Sequence, residues 1–262
     1  MTLLVDIMGK VLFESGKISR ITINRPEKHN ALDQETIKLI TAYVGKASAN
    51  KSCRCIVITG SGNDAFCAGA DVKSIAGIKT RKEAENLFGL FYNMRKAITE
   101  SPKAVIAMIN GYCLGGGNEL AAACDLRIAS IDAVFGQPEV RLGIIPGGGA
   151  TYALQNIIGI GKAKEMILTG KSISSGQAMR IGLVNGVCDA KDLEKNVSYI
   201  CNEIASCGPN AVALAKSAIN KATLSKYGFE KKAFADSILG REGKEGTGAF
   251  LEHRKAKFAD NK

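Results

Sequence analysis

The sequence predicts an α/β fold. Three observations carry that reading. Strand-like runs alternate along the chain with segments of helical period. Two apolar runs of strand length, Cys55–Thr59 and Ala104–Ile109, are bounded by Gly, Asn or Pro punctuation, as buried strands are. The stretch from residue 81 to 100 places Leu87, Leu90, Phe91, Met94 and Ile98 at helical spacing, which predicts an amphipathic helix with a core stripe.

In chain order, Ile18–Ile23 alternates and is rich in β-branched residues, so a strand is predicted there, ended at Arg25-Pro26. Asp33 is placed to cap a helix running to about residue 48, with Ile37, Ile40 and Val44 on one face. Cys55–Thr59 is the next strand, closed by Gly60-Ser61-Gly62-Asn63. After the helix over 81–100 and the strand Ala104–Ile109 comes a glycine-rich turn, then a helix over Asn118–Ala123 and a short strand over 126–129. From Ala150 onward the pattern is mostly helical, broken at glycines. The expected picture is a strand-rich N-terminal part followed by a helical C-terminal part.

The chain has 262 residues, 46% hydrophobic and 23% charged, which fits a soluble globular protein. No window has the apolar length of a membrane span, and Met1–Asp6 lacks the basic start of a signal peptide, so a cytoplasmic location is the default expectation. Eight cysteines lie scattered in apolar segments, with no Cys-x-x-Cys pair and only two histidines, so zinc and disulfide frameworks are both disfavoured. Most read as small buried thiols. Cys67 and Cys113 lie close to the candidate site and are the thiols whose oxidation would reach it. The formal charge of +10 predicts a basic surface, compatible with attraction of phosphates.

The chemistry is concentrated in two stretches. The first is Asn110–Leu120, with Gly115-Gly116-Gly117 followed by Glu119; the second is Phe135–Glu139, leading into Gly143 and Pro146-Gly147-Gly148-Gly149. A glycine triplet lets backbone N–H groups approach a ligand closely, and a helix N-terminus adds unpaired donors and partial positive charge suited to an oxyanion. Two carboxylates beside such donors point to acid–base chemistry on a substrate that becomes an enolate. Pro138 restricts the backbone that carries Glu139. For Asp125 and Arg127 an internal ion pair or solvation is the favoured reading.

Together these stretches resemble the crotonase superfamily, and most closely its enoyl-CoA hydratases. The resemblance covers nearly the whole chain: Ile21–Leu32, Ala65–Lys73, the two glutamate stretches with Glu119 and Glu139 twenty positions apart, and Glu245-Gly246 with Ala249–Lys255. It implies a crotonase (ClpP-like) spiral of ββα units, residues 1–200, with a helical C-terminal trimerisation region, residues 201–262. It also implies reversible hydration of a trans-2-enoyl-CoA, with short substrates such as crotonyl-CoA, or the reverse dehydration of 3-hydroxybutyryl-CoA or 3-hydroxypropionyl-CoA. In that family pattern Glu119 activates water and Glu139 exchanges the proton at C2. The backbone N–H groups of Ala70 and Gly116 form the oxyanion hole. Lys28, Ala68, Ala70, Asp71, Val72, Lys73, Gly116, Phe250 and Lys255 contact coenzyme A, which is part of the substrate. No metal or other cofactor is implied, and the expected assembly is a homotrimer or homohexamer.

The chain departs from the pattern at Asn118, where hydratases often carry Cys, and at Ala150–Leu154, where the family commonly reads Gly-Thr-Gln-Arg-Leu. Both leave the acyl-chain preference open. Two alternatives stand beside the hydratase reading. An enoyl-CoA isomerase needs one base, and Glu139 would suffice, but Glu119 would then be superfluous. An RNA-binding homologue would use the basic cluster Lys226, Lys231 and Lys232; with no Trp and 6% aromatics, a stacking platform for single strands is poorly supported.

Overall fold

A computed structural model describes residues 5–6, 9–221 and 227–257. The chain opens on three antiparallel strands, β1 (Val5–Asp6), β2 (Val11–Glu14) and β3 (Ile18–Ile23). Alternate residues of β3 are buried, as its pattern predicts. Helix α1 (Gln34–Ala49) begins at Asp33, whose carboxylate accepts the Thr36 N–H at 2.8 Å. Ile37, Ile40 and Val44 face inward from it.

A unit of strand, strand, helix then repeats. The first is β4 (Cys55–Gly60), β5 (Ala65–Cys67), α2 (Val72–Ala76) and α3 (Arg81–Glu100). The second is β6 (Ala104–Ile109), β7 (Tyr112–Leu114) and α4 (Gly116–Ala123). The third is β8 (Leu126–Ser130), β9 (Val134–Gly136), a 3-10 turn over Pro138–Leu142, and α5 (Ala150–Thr169). The chain continues through β10 (Ser172–Ser174), α6 (Ser175–Arg180) and β11 (Gly186–Cys188). It ends in α7 (Leu193–Ser206), α8 (Pro209–Lys221), α9 (Tyr227–Leu239) and α10 (Arg241–Leu251).

In each unit the first strand enters a large sheet, of order β1-β2-β3-β4-β6-β8-β11, and the second enters a small one, of order β10-β9-β7-β5. From β3 to β11 the large sheet is parallel, and so are β5, β7 and β9. This is the repeated ββα architecture that the resemblance implied. Strands β4 and β6 are buried along their whole length because helices cover both faces. Ile56, Ile58, Val105 and Ala107 join the core that includes α1 and α3, while Cys55, Val57, Ile106 and Met108 meet Leu193, Val197 and Cys201 of α7.

The strands expected at 18–23, 55–59, 104–109 and 126–129 are all present. The short strands of the small sheet were not anticipated, and the glycine-rich segment begins as one of them, β7. Helix α4 starts at Gly116, two residues earlier than its apolar pattern suggests. Asp125 forms the expected internal ion pair, with Lys216 at 2.7 Å. Arg127 instead donates to the carbonyls of Leu183, Ala121 and Cys124. No helix among the described residues is long and apolar enough to cross a membrane.

Candidate active site

Two loops, one after β5 and one after β7, meet where the small sheet ends. Leu32 donates its N–H to Gly69 O at 2.8 Å, and Asp71 donates to Leu32 O at 2.9 Å. This pairing uses the groups on either side of Ala70 and leaves the Ala70 N–H out of the bridge. The second loop turns at Gly115, whose φ of 51° suits glycine, and starts α4 at Gly116. A methyl group added at Gly116 would lie 3.2 Å from Ala70 N, so the two backbones nearly touch. Among the described residues neither the Ala70 nor the Gly116 N–H has a hydrogen-bond acceptor in the chain. Two amide donors from separate loops thus stand side by side, one of them in the first turn of a helix.

Glu119 follows Gly116 by three residues, so both lie on one side of α4. Its side chain is buried, at 4% exposure. Oε1 accepts the N–H groups of Gly148 at 2.8 Å and Ala150 at 3.0 Å. Burial raises the Glu119 carboxyl above its ordinary pKa, against the opposing pull of the Ala150 and Gly148 amides and the Arg95 charge. Arg95 is itself buried and lies over the Tyr152 ring at 4.7 Å. The Phe91 ring spans the same place: methyl groups added at Gly116 and at Gly148 would come within 3.2 Å and 3.1 Å of it.

Glu139 comes from the 3-10 turn over Pro138–Leu142 and sits beside the second loop, where a methyl group at Gly115 would lie 3.0 Å from its Oε1. That oxygen accepts the Gln137 side-chain N–H at 2.9 Å, and Gln137 Oε1 accepts the Asn118 side-chain N–H at 2.9 Å. Helix α10 packs on the turn that carries Glu139: a methyl group at Gly246 would lie 2.2 Å from Leu142 O. Glu245 holds the segment after this helix through a two-pronged ion pair with Arg254, 2.7 and 2.9 Å, so the C-terminal signature closes on itself.

The remaining sequence candidates fall around the first loop and α10. Ala68 and Ala70 are half-buried, and the Ala68 N–H donates to His29 O at 3.0 Å, which brings the Lys28 turn beside the loop. Lys28 and Lys73 are exposed, and Val72 begins α2. Asp71 is engaged structurally, as the cap of α2 and in an ion pair with Arg25 at 3.2 Å. Phe250 and Lys255 are exposed near the end of α10, which packs against α2 in the same chain.

Oxidation at Cys67 and Cys113 is not supported. Both are fully buried, and burial pushes the Cys67 thiol up to about 12, so the reactive thiolate is suppressed. Of the lysine cluster considered for RNA, Lys226 lies outside the described residues and Lys231 pairs with Glu85 at 3.1 Å. Among the described residues no cluster of three or more His, Cys, Asp or Glu side chains is placed to hold a metal ion. Sequence reasoning did not find Phe91, Arg95, Asn118 or Gln137 as neighbours of the carboxylates. The departures at Asn118 and Tyr152 were the available signal.

Comparison with known proteins identifies the family. The profile of the enoyl-CoA hydratase/isomerase family matches residues 14–261. The chain is 38% identical to the short-chain-enoyl-CoA hydratase of Clostridium acetobutylicum, over 98% of this chain and all of that protein. It is 39% identical to the crotonyl-CoA hydratase of Syntrophomonas wolfei, over 95% of this chain and 96% of that one. Among solved structures it is similar to an enoyl-CoA hydratase from Bacillus anthracis, with 35% identity, a TM-score of 0.79, and coverage of 95% of this chain and 99% of that one.

Proposed function

The chain belongs to the enoyl-CoA hydratase/isomerase family, and from that premise we propose that it is a hydro-lyase that adds water reversibly to short-chain trans-2-enoyl-CoA thioesters such as crotonyl-CoA. The observation that carries this reading is the pair of N–H groups of Ala70 and Gly116, free of acceptors among the described residues, with Glu119 one helical turn beyond Gly116. The names of the relatives support the short acyl chain.

In this reading the thioester oxygen accepts both N–H groups, which stabilise the negative charge that develops there during addition. Glu119 takes a proton from water as the water oxygen bonds to C3. Glu139, protonated at the outset, gives that proton to C2 as the enolate collapses, and the proton taken up by Glu119 restores Glu139 before the next turnover. The reverse sequence is the dehydration. Burial suits Glu119 to the first role, because a carboxylate with a raised pKa is a stronger base. The protein's own carboxylates and amides supply the chemistry, and coenzyme A enters as part of the substrate. Lys28, Lys73, Phe250 and Lys255, with the loop Ala68–Val72, are the proposed contacts to its nucleotide end. The division into a core of residues 1–200 and a helical region of 201–262 belongs to the same proposal, with α7 running through the boundary. So do a homotrimeric or homohexameric assembly and a cytoplasmic location, the latter supported by eight free thiols.

The test is to measure hydration of crotonyl-CoA and isomerisation of a 3-enoyl-CoA with the wild type, Glu119→Gln and Glu139→Gln. Hydration should dominate in the wild type and fall by about 10²-fold or more in each variant. Near-normal hydration in either variant overturns the assignment. Isomerisation that survives loss of Glu119 but not of Glu139 would favour an isomerase.

A further inference from the structure

Two side chains link α4 to the carboxylate of Glu139 in a single file. Asn118 Nδ2 donates to Gln137 Oε1 at 2.9 Å, and Gln137 Nε2 donates to Glu139 Oε1 at 2.9 Å. Asn118 and Gln137 are both buried, at 1% and 0% exposure. The second neighbour of Asn118 Nδ2 is the Met166 thioether, at 3.8 Å.

The polarity of this file is forced at both ends. An ionised carboxylate and a thioether sulfur can only accept, and a protonated Glu139 that carries its proton for C2 on Oε2 still accepts at Oε1. If the Gln137 amide alone were turned over, its oxygen would face the Glu139 oxygen and its N–H group would face the Asn118 N–H group. If Asn118 turned as well, its oxygen would face the sulfur. Only the observed order gives every contact a donor and an acceptor. Asn118 Oδ1 is left buried without a partner. For packing alone, a leucine would fill the same volume with no orphaned oxygen. The asparagine therefore points to a directional role.

We propose that Asn118 is a positioning residue: it holds the Gln137 side-chain amide with its N–H toward Glu139, and so fixes the orientation of the carboxylate that serves C2. Helix α4 then aims both carboxylates, Glu119 directly and Glu139 through two amides. This inference rests on the proposed role of Glu139 in hydration.

The test is a double-mutant cycle on crotonyl-CoA hydration with Asn118→Leu, Gln137→Leu and the combination, with Glu139→Gln in the same assay. Asn118→Leu should lower kcat about tenfold and leave KM within about twofold, the effect of one lost buried hydrogen bond on a reacting group. On the Gln137→Leu background the same change should cost less than about twofold, because its target is already gone. A packing role would instead lower the thermal midpoint and multiply through both backgrounds. A wild-type kcat in Asn118→Leu, or losses that multiply, overturns the proposal. Should Asn118→Leu fail to fold, the smaller Asn118→Cys runs the same cycle, and its weak S–H donor should leave about a threefold loss. If Glu139→Gln keeps its turnover, the role of Glu139 fails and this inference fails with it. If Glu139→Gln is inactive while Asn118→Leu is unaffected, only the positioning role fails.

Discussion

Gly117 separates the two proposed oxyanion donors from failure by the width of one methyl group. It lies in the first turn of α4, next to Gly116, and packs on the backbone of Cys67 in β5, the strand that leads to Ala70. A Cβ at Gly117 would lie 2.1 Å from Cys67 O and 2.8 Å from Cys67 C. Both are backbone atoms, so no rotamer change relieves the clash. Restoring van der Waals contact requires the two segments to part by about 1 Å. Those segments carry the Ala70 and Gly116 N–H groups, so the donors part with them. A displacement of about 1 Å at a reacting centre costs about 10²-fold, and complete loss of one donor costs about 10²–10³-fold. Gly117→Ala should therefore lower kcat for crotonyl-CoA hydration by about 10²-fold, or about 2.7 kcal/mol of barrier. It should also destabilise the fold by about 1–3 kcal/mol through overpacking. The assay is the fall in ultraviolet absorbance of the enoyl thioester, with thermal unfolding in parallel. Gly45→Ala is the control: it lies in α1 with nothing within 4 Å of its added methyl, and should leave kcat unchanged and raise stability by about 0.5–1 kcal/mol. A Gly117→Ala enzyme with kcat within threefold of wild type would show that the spacing of the two loops does not control the reaction.

Glu119→Gln should be inactive yet more stable than the wild type near neutral pH. The folded carboxyl has a raised pKa, so its contribution to stability is present below its ordinary value of 4.5 and is lost as pH rises. The difference in thermal midpoint should be large at about pH 8 and close at about pH 4, because only the wild type titrates. A midpoint difference that does not change with pH would count against a raised pKa. Gly246→Ala forces α10 off Leu142 O, where the added methyl would lie 2.2 Å away, and should lower kcat by about tenfold through the turn that holds Glu139. An unchanged kcat would separate α10 from the chemistry. Alkylation of the native protein should reach the exposed Cys207 first and leave activity intact, while Cys67 should react only on unfolding; peptide mapping of the labelled protein decides.

The elements legible in the sequence were those long enough to show a period. Helix α3 declared itself by five apolar residues at helical spacing, and β4 and β6 by unbroken apolar runs. The strands β5, β7 and β9 have three residues each, too few for alternation to be read, and they are half of what builds the site. Glu119 and Glu139 were legible because each stands in a local motif rich in glycine or proline. Gln137 and Asn118 were not, because their contact joins residues from different strand–helix units. Phe91 was read only as part of a core stripe. It is buried in the core, and the same ring also walls the turn at Gly116, which no single-helix pattern could show.

The arrangement explains why so short a helix can set the geometry of a reaction. Gly116 and Glu119 sit on one turn of α4, so the distance from the proposed oxyanion donor to the carboxylate is fixed by helix geometry rather than by loops. An eight-residue helix has little stability of its own and must be held from outside. It is held at three points that coincide with the site: Gly117 against Cys67, Glu119 against the amides that open α5, and Asn118 against Gln137. The clamp on Glu119 also resolves a conflict. A buried carboxylate without donors would remain protonated and could not act as a base, whereas two amides on one oxygen recover much of the lost hydration and leave the base available. The three points should nevertheless respond differently to substitution: Gly117→Ala disturbs stability and turnover together, whereas Glu119→Gln and Asn118→Leu lower turnover without lowering the thermal midpoint.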